Sequence, residues 1–151
     1  MAAFKDRLET DLVTAMKARD ELTTATLRMV IAAVRTEEVA GKTARQLSDA
    51  EVVAVVGREA KKRREAAEAF DDAGRVELAD RERAEGRVLD GYLPAQLTDG
   101  ELAELVRAAV SEAGASEPRQ MGQVMKLLQP RVVGRAEGGR VAAEVKRQLA
   151  G

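Results

Sequence analysis

The sequence predicts an all-α protein: an N-terminal helical bundle or hairpin region followed by a small three-helix tail domain. Three observations carry this expectation. Apolar residues recur three and four positions apart along nearly the whole chain, the period of a helix buried on one face. Two capping-box patterns, Ser48-Asp49-Ala50-Glu51 and Thr98-Asp99-Gly100-Glu101, mark sharp helix starts. Aromatic residues make up only 2% of the 151 residues against 45% hydrophobic, so a core must be built from Ala, Val, Leu and Met. Such small side chains suit closely packed helices better than sandwiches or barrels.

The elements follow in order. Phe4, Leu8, Leu12 and Ala15 share one face of a first helix. Leu22, Ala25, Met29, Ala33 and Val34 mark a second, with Gly41 as its expected stop. A third begins at the Ser48 box and carries Val52, Val55, Val56, Ala66 and Phe70 on its stripe. Gly74 separates it from a weaker segment, Arg75 to Tyr92, anchored by Leu78, Val88, Leu89 and Tyr92. Gly86 and Gly91 lie inside that segment, and an interior Gly costs a helix about 1 kcal/mol relative to Ala.

Pro94 disfavours a helical Leu93 and sets the expected boundary, dividing the chain into residues 1–93 and 94–151. After it, Leu102, Leu105, Val106 and Ala109 mark a helix ended by Gly114. Pro118 suits the first turn of the next, whose stripe is Met121, Val124, Met125 and Leu128 and whose expected stop is Pro130. Gly134, Gly138 and Gly139 suggest a flexible connection, and Val141, Val145 and Leu149 line a last helix.

Composition excludes several chemistries. The chain has no Cys and no His, which removes disulfides, thiolate nucleophiles, zinc sites of the usual kind and His-based triads. No metal and no cofactor is expected. The residues from Gly134 to Arg140 lack the Gly-Lys-Ser/Thr ending of a phosphate-binding loop. The most apolar stretch, Leu27 to Val34, is interrupted by Arg28 and is far shorter than a membrane span, and the N-terminus has no signal-like apolar run. The expected compartment is the cytoplasm, with no membrane partner.

Net charge is −1, but it is unevenly distributed. From Pro118 onward Arg119, Lys126, Arg131, Arg135, Arg140, Lys146 and Arg147 face only Glu137 and Glu144, a local charge of 7 − 2 = +5. The stretch Ala95 to Glu117 holds five acids and one Arg, or −4. A basic face over the last two helices is the footprint of a nucleic-acid partner. The bland alternative is internal pairing, since Glu144 is within helical reach of both Arg140 and Arg147. A louder run, Arg58 to Arg64, reads as a solvated face: Glu59 with Arg63, Lys61 with Glu65 and Arg64 with Glu68 have pairing spacing, leaving Arg58 and Lys62 over. Phe4, Phe70 and Tyr92 are far apart, which disfavours base stacking and favours a folded RNA bound through phosphates and shape.

The chain resembles the GatB/YqeY family from end to end. The resemblance rests on Ala15-Met16-Lys17, Thr26-Leu27-Arg28-Met29, Lys61-Lys62-Arg63-Arg64-Glu65-Ala66, Gly91-Tyr92-Leu93-Pro94-Ala95-Gln96-Leu97, Met121-Gly122-Gln123-Val124-Met125-Lys126, and Gly134-Arg135-Ala136 with Val141, in this order. Gly86 and the Gly138-Gly139 pair depart from the family pattern. The resemblance implies a tail similar to the C-terminal domain of the B subunit of glutamine-dependent tRNA amidotransferases, which helps to hold tRNA. It also attaches carbon–nitrogen ligase activity with glutamine as amido donor, for which this chain, without His or Cys and without a visible nucleotide site, offers little. The expectation is therefore a non-catalytic accessory protein whose partner is tRNA. The contact residues would be Gly122, Lys126, Arg131, Gly134, Arg135, Arg140, Lys146 and Arg147. The alternatives left open are a protein-interaction module that docks on an aminoacyl-tRNA synthetase or amidotransferase subunit, and an intrinsic amidotransferase activity.

Overall fold

The computed structural model describes residues 3–151 and is all-helical, with no strand among the described residues. The helices are α1 (Ala3–Lys17), α2 (Glu21–Glu38), α3 (Asp49–Asp72), α4 (Val76–Asp90), α5 (Asp99–Ala113), α6 (Met121–Val132) and α7 (Gly138–Ala150), with a 3-10 turn at Pro118–Gln120 leading into α6. The backbone separates into two compact units, one ending at Leu93 and the other running from Pro94 to Gly151.

In the first unit α1 and α2 form one hairpin and α3 and α4 another, with α1 and α2 packed on α3 and α2 also on α4. The first hairpin turns through Arg19, a non-glycine residue at φ 57°, and restarts where Asp20 accepts a hydrogen bond from Thr23 N at 3.1 Å. Leu8, Leu27, Val30, Val34, Val52 and Val56 are fully buried in one cluster, joined by Leu47 from the loop and Leu89 from α4. Both serine and threonine boxes form: Ser48 caps α3 and Thr98 caps α5, each with reciprocal Glu contacts.

Several expectations are corrected. The second helix ends at Glu38, with Val39 as its C-cap, rather than at Gly41. On α3 the buried alanines are Ala60 and Ala67, and Ala66 is only half-buried. On α4 the inward positions are Ala79, Gly86 and Leu89, whereas Leu78 is exposed. Helix α4 runs unbroken through Gly86, which faces α3: a Cβ there would stand 3.6 Å from Arg63 Cβ. Small residues at this seam let the two helix backbones approach. Arg63 then lies along the seam to reach Glu82 at 3.2 Å and Glu85 at 3.6 Å.

In the second unit α5, α6 and α7 pack against one another around Leu102, Val106, Val124, Leu128, Val141 and Val145. Gly114 ends α5 in the left-handed region at φ 62°, which its lack of a Cβ allows. Pro130 does not stop α6, which continues to Val132. Pro130 forfeits the N–H it would have donated one turn back, yet α6 runs two residues past it. Gly138 and Gly139 are not part of a flexible connection but form the first turn of α7.

Candidate nucleic-acid interface

The basic tail folds with its own acids. Arg131 on α6 pairs with Glu112 on α5 at 2.7 Å, Arg119 with Glu117 at 2.5 Å, and Arg147 with Glu144 at 2.6 Å. The last contact holds the Glu144 carboxyl below its ordinary range and raises Arg147. Glu101 is also lowered, chiefly because it accepts the Thr98 backbone N–H in the capping box. Arg140 does not meet Glu144. Its Nη2 donates to Leu97 O at 2.8 Å and to Asp99 Oδ1 at 2.9 Å.

Three cations are left differently placed. Lys126 on α6 and Lys146 on α7 are exposed, and neither makes a hydrogen bond or ion pair among the described residues. Arg135 sits in the loop between α6 and α7 without an ion pair, its Nε donating to Ala95 O at 3.4 Å. Surface ion pairs such as Arg131–Glu112 and Arg147–Glu144 hold their partners weakly, so a phosphate can compete for the arginines.

Glycine positions separate by cause. Gly134 has φ 74° and needs the left-handed conformation that ends the α6 turn. Gly122 is exposed in the first turn of α6, and a Cβ there would meet nothing within 4 Å. That leaves open space above the helix surface at this point.

The loop holding Gly134 and Arg135 is fastened to the segment that leads into α5. Gln96 Nε2 donates to Gly134 O at 2.9 Å, and Leu97 N donates to Arg135 O at 2.8 Å. Sequence reasoning read Pro94-Ala95-Gln96-Leu97 only as a boundary and passed over Gln96 and Asp99. The order of the family motifs hinted at both halves without showing that they meet.

The louder basic run on α3 is consumed by structure, though not in the pattern expected from its spacing. Arg58 pairs with Glu37 on α2, Lys62 with the buried Glu59 at 2.9 Å, Lys61 with Glu65 at 3.8 Å, and Arg63 crosses to α4. The expected Glu59–Arg63 pairing does not form, because Glu82 and Glu85 supply Arg63 with carboxylates across the helix seam.

Among the described residues no group of three or more Asp or Glu is arranged to hold a metal ion, and no helix is long and apolar enough to cross a membrane.

Comparison with known proteins gives a consistent family. The family model for Yqey-like protein matches residues 5–149. A relative named Altered inheritance of mitochondria protein 41, mitochondrial, from Pyrenophora tritici-repentis, is 31% identical over 133 residues, covering 84% of this chain and 72% of that protein. The match spans both helical units, including the Gln96 and Gly134 segments that the structure brings together. This chain belongs to the YqeY-like protein family.

Proposed function

We propose that this chain is a non-catalytic RNA-binding accessory protein whose ligand is tRNA, bound through the tail. One observation carries the reading. The tail's carboxylates at Asp99, Glu104, Glu112, Glu117 and Glu144 are each committed to an arginine, and Glu101 to a cap, whereas Lys126, Arg135 and Lys146 make no ion pair among the described residues, Arg135 standing only in the longer-range field of Glu101. The free positive charge of the unit is thereby concentrated on α6, α7 and their loop.

The tail contains no aromatic residue, so bases have no stacking platform there. Recognition would run through phosphates and the shape of a folded RNA. The similarity of the tail to the tRNA-holding domain of amidotransferase B subunits supports tRNA as that RNA. Lys126, Arg135 and Lys146 are the proposed direct contacts. Arg131 and Arg147 join by exchanging a surface carboxylate for a phosphate, and open space at Gly122 admits the backbone. The proposed compartment is the cytoplasm. Lacking His and Cys, the chain would leave any transamidation chemistry to other proteins.

The test is a titration of the full chain with total tRNA at about 50 and about 200 mM salt. The reading expects binding at low salt, weakening by roughly 0.7 to 0.9 log units per log unit of salt for each phosphate contact. A dissociation constant weaker than about 100 μM at low salt would sink it, since even non-specific binding is ordinarily tighter than that.

A second reading, docking on a synthetase or amidotransferase subunit, rests on the first unit. Val13 and Met16 lie one turn apart on α1 and are 49% and 47% exposed, a small apolar strip at the surface that Arg28 Nη2 touches at the Met16 sulfur. A complex that survives charge reversal at Arg135 and Arg147 but not Val13→Lys would favour this reading.

A further inference from the structure

We infer that Gln96 and Arg140 are positioning residues, which fix the loop between α6 and α7 so that Arg135 is presented to RNA. The inference rests on the proposed RNA-binding reading and adds to it a neutral residue that no charge map would select.

The loop spans residues 133–137 and would ordinarily be the most mobile part of such a unit. Here both carbonyls that flank the Arg135 Cα are caught. Gly134 O accepts from Gln96 Nε2 at 2.9 Å, and Arg135 O accepts from Leu97 N at 2.8 Å. On the same side the Arg135 Nε reaches Ala95 O at 3.4 Å, which aims the guanidinium. The segment 95–97 that provides these contacts is in turn gripped from α7. Arg140 Nη2 holds Leu97 O at 2.8 Å and Asp99 Oδ1 at 2.9 Å. Leu97 therefore faces the loop with its N–H and Arg140 with its carbonyl, while its side chain is buried in the tail core.

Gln96 is exposed, and its amide is spent on Gly134 O and, at 3.4 Å, on Pro94 O. Nothing in the core depends on it. Its structural consequence is the placement of Gly134 and Arg135. Arg140 is occupied on the protein side, so its role is to hold segment 95–97 rather than to meet a phosphate.

The experiment compares the full-length wild type with Gln96→Ala, Arg135→Gln, Arg140→Gln and the double variants Gln96→Ala/Arg135→Gln and Arg140→Gln/Arg135→Gln. Each is titrated with total tRNA across a salt series, with far-UV circular dichroism and thermal melting as the check on folding. Gln96→Ala changes no charge, yet it should weaken binding about fivefold, the scale of one lost hydrogen bond. It should also lower the salt slope by roughly 0.7 to 0.9, as Arg135→Gln does, because the same phosphate contact is lost. Each double variant should bind no more weakly than Arg135→Gln alone.

Gln96→Ala that melts like the wild type and binds with unchanged affinity and slope overturns the inference. So does an additive loss of slope in Arg140→Gln/Arg135→Gln, which would make Arg140 a direct contact. A wild type that fails to bind tRNA overturns the RNA reading and this inference with it; a wild type that binds beside an unaffected Gln96→Ala overturns the inference alone.

Discussion

The two helical units differ in how deeply their interhelical charge pairs are buried. In the first, cations tie helices together: Lys5 of α1 to Glu38 of α2 at 2.7 Å, Arg63 of α3 to Glu82 of α4, Arg83 of α4 to Asp71 of α3. The buried polar residues among those described, Thr26, Glu38 and Glu59, all lie in this unit. The tail instead closes over an entirely apolar set of Leu, Val and Ala, and its ion pairs lie on the surface. The comparison teaches that a dense basic run is a poor guide to binding. The run on α3 is paired with acids of α2, α3 and α4, whereas the sparser tail keeps two lysines without a partner among the described residues.

The largest expected effect breaks the comparison on its apolar side. Leu128 is fully buried in the tail, and Leu128→Ala should cost about 3 kcal/mol through lost burial and a residual cavity. Amide exchange should rise across α5, α6 and α7 while the amides of α3 and α4 stay protected. Equal loosening of both units would contradict the independence of the two cores.

A smaller effect tests the polar side. The Glu38 carboxylate accepts from Lys5 Nζ at 2.7 Å and from Leu47 N at 3.3 Å, inside the first unit. Glu38→Ala should cost about 2 kcal/mol, the scale of a buried charged hydrogen bond left half-made. Its pH dependence has a definite sign. The hydrogen bond from Lys5 lowers the folded-state value below the ordinary 4.5, so this stability is fully present above pH 4.5 and is lost as pH falls through the lower folded value. Glu51, pushed down to about 2 by Arg45, extends the same trend further into acid. Melting curves should show Glu38→Gln less stable than wild type at pH 7, with the gap narrowing as pH falls below 4.5. A gap that persists into acid would contradict the Lys5 assignment.

The smallest of these effects is a gain. Gly86→Ala places its Cβ at ordinary contact, 3.6 Å from Arg63 Cβ, and removes a helix-interior glycine. Thermal melting should rise by an amount equivalent to about 0.5–1 kcal/mol. Gly86→Leu should instead push α3 and α4 apart and destabilise. A loss with Ala would mean that the α3–α4 seam is tighter than the geometry shows.

Much of this was legible in the sequence. The 3.6-residue stripes located every helix, and the boxes at Ser48 and Thr98 marked two starts to the residue. The misses have physical causes. Leu78 was chosen as an anchor for its size, yet Ala79 and Gly86 face inward because the seam rewards small residues. Pro130 lies inside α6 rather than after it, against the expectation from its missing N–H. The arginine partners were the least legible. Helical spacing proposes i+4 neighbours, but Arg63 and Arg140 reach carboxylates 19 to 41 positions away, contacts that only the tertiary fold creates. Gln96 escaped for the same reason, since its acceptor lies 38 positions along the chain.

The central claim is that positive charge is available for RNA in the tail and already paired in the basic run of α3. Two variants of the full chain test it directly, Lys126→Gln with Lys146→Gln in one and Lys61→Gln with Lys62→Gln in the other. Each removes two charges, so net charge is matched. Titration with total tRNA across a salt series should show the tail variant losing about 1.5 units of salt slope, two phosphate contacts' worth, and the α3 variant binding like the wild type. Equal losses in the two variants, or a greater loss in the α3 variant, would contradict the claim.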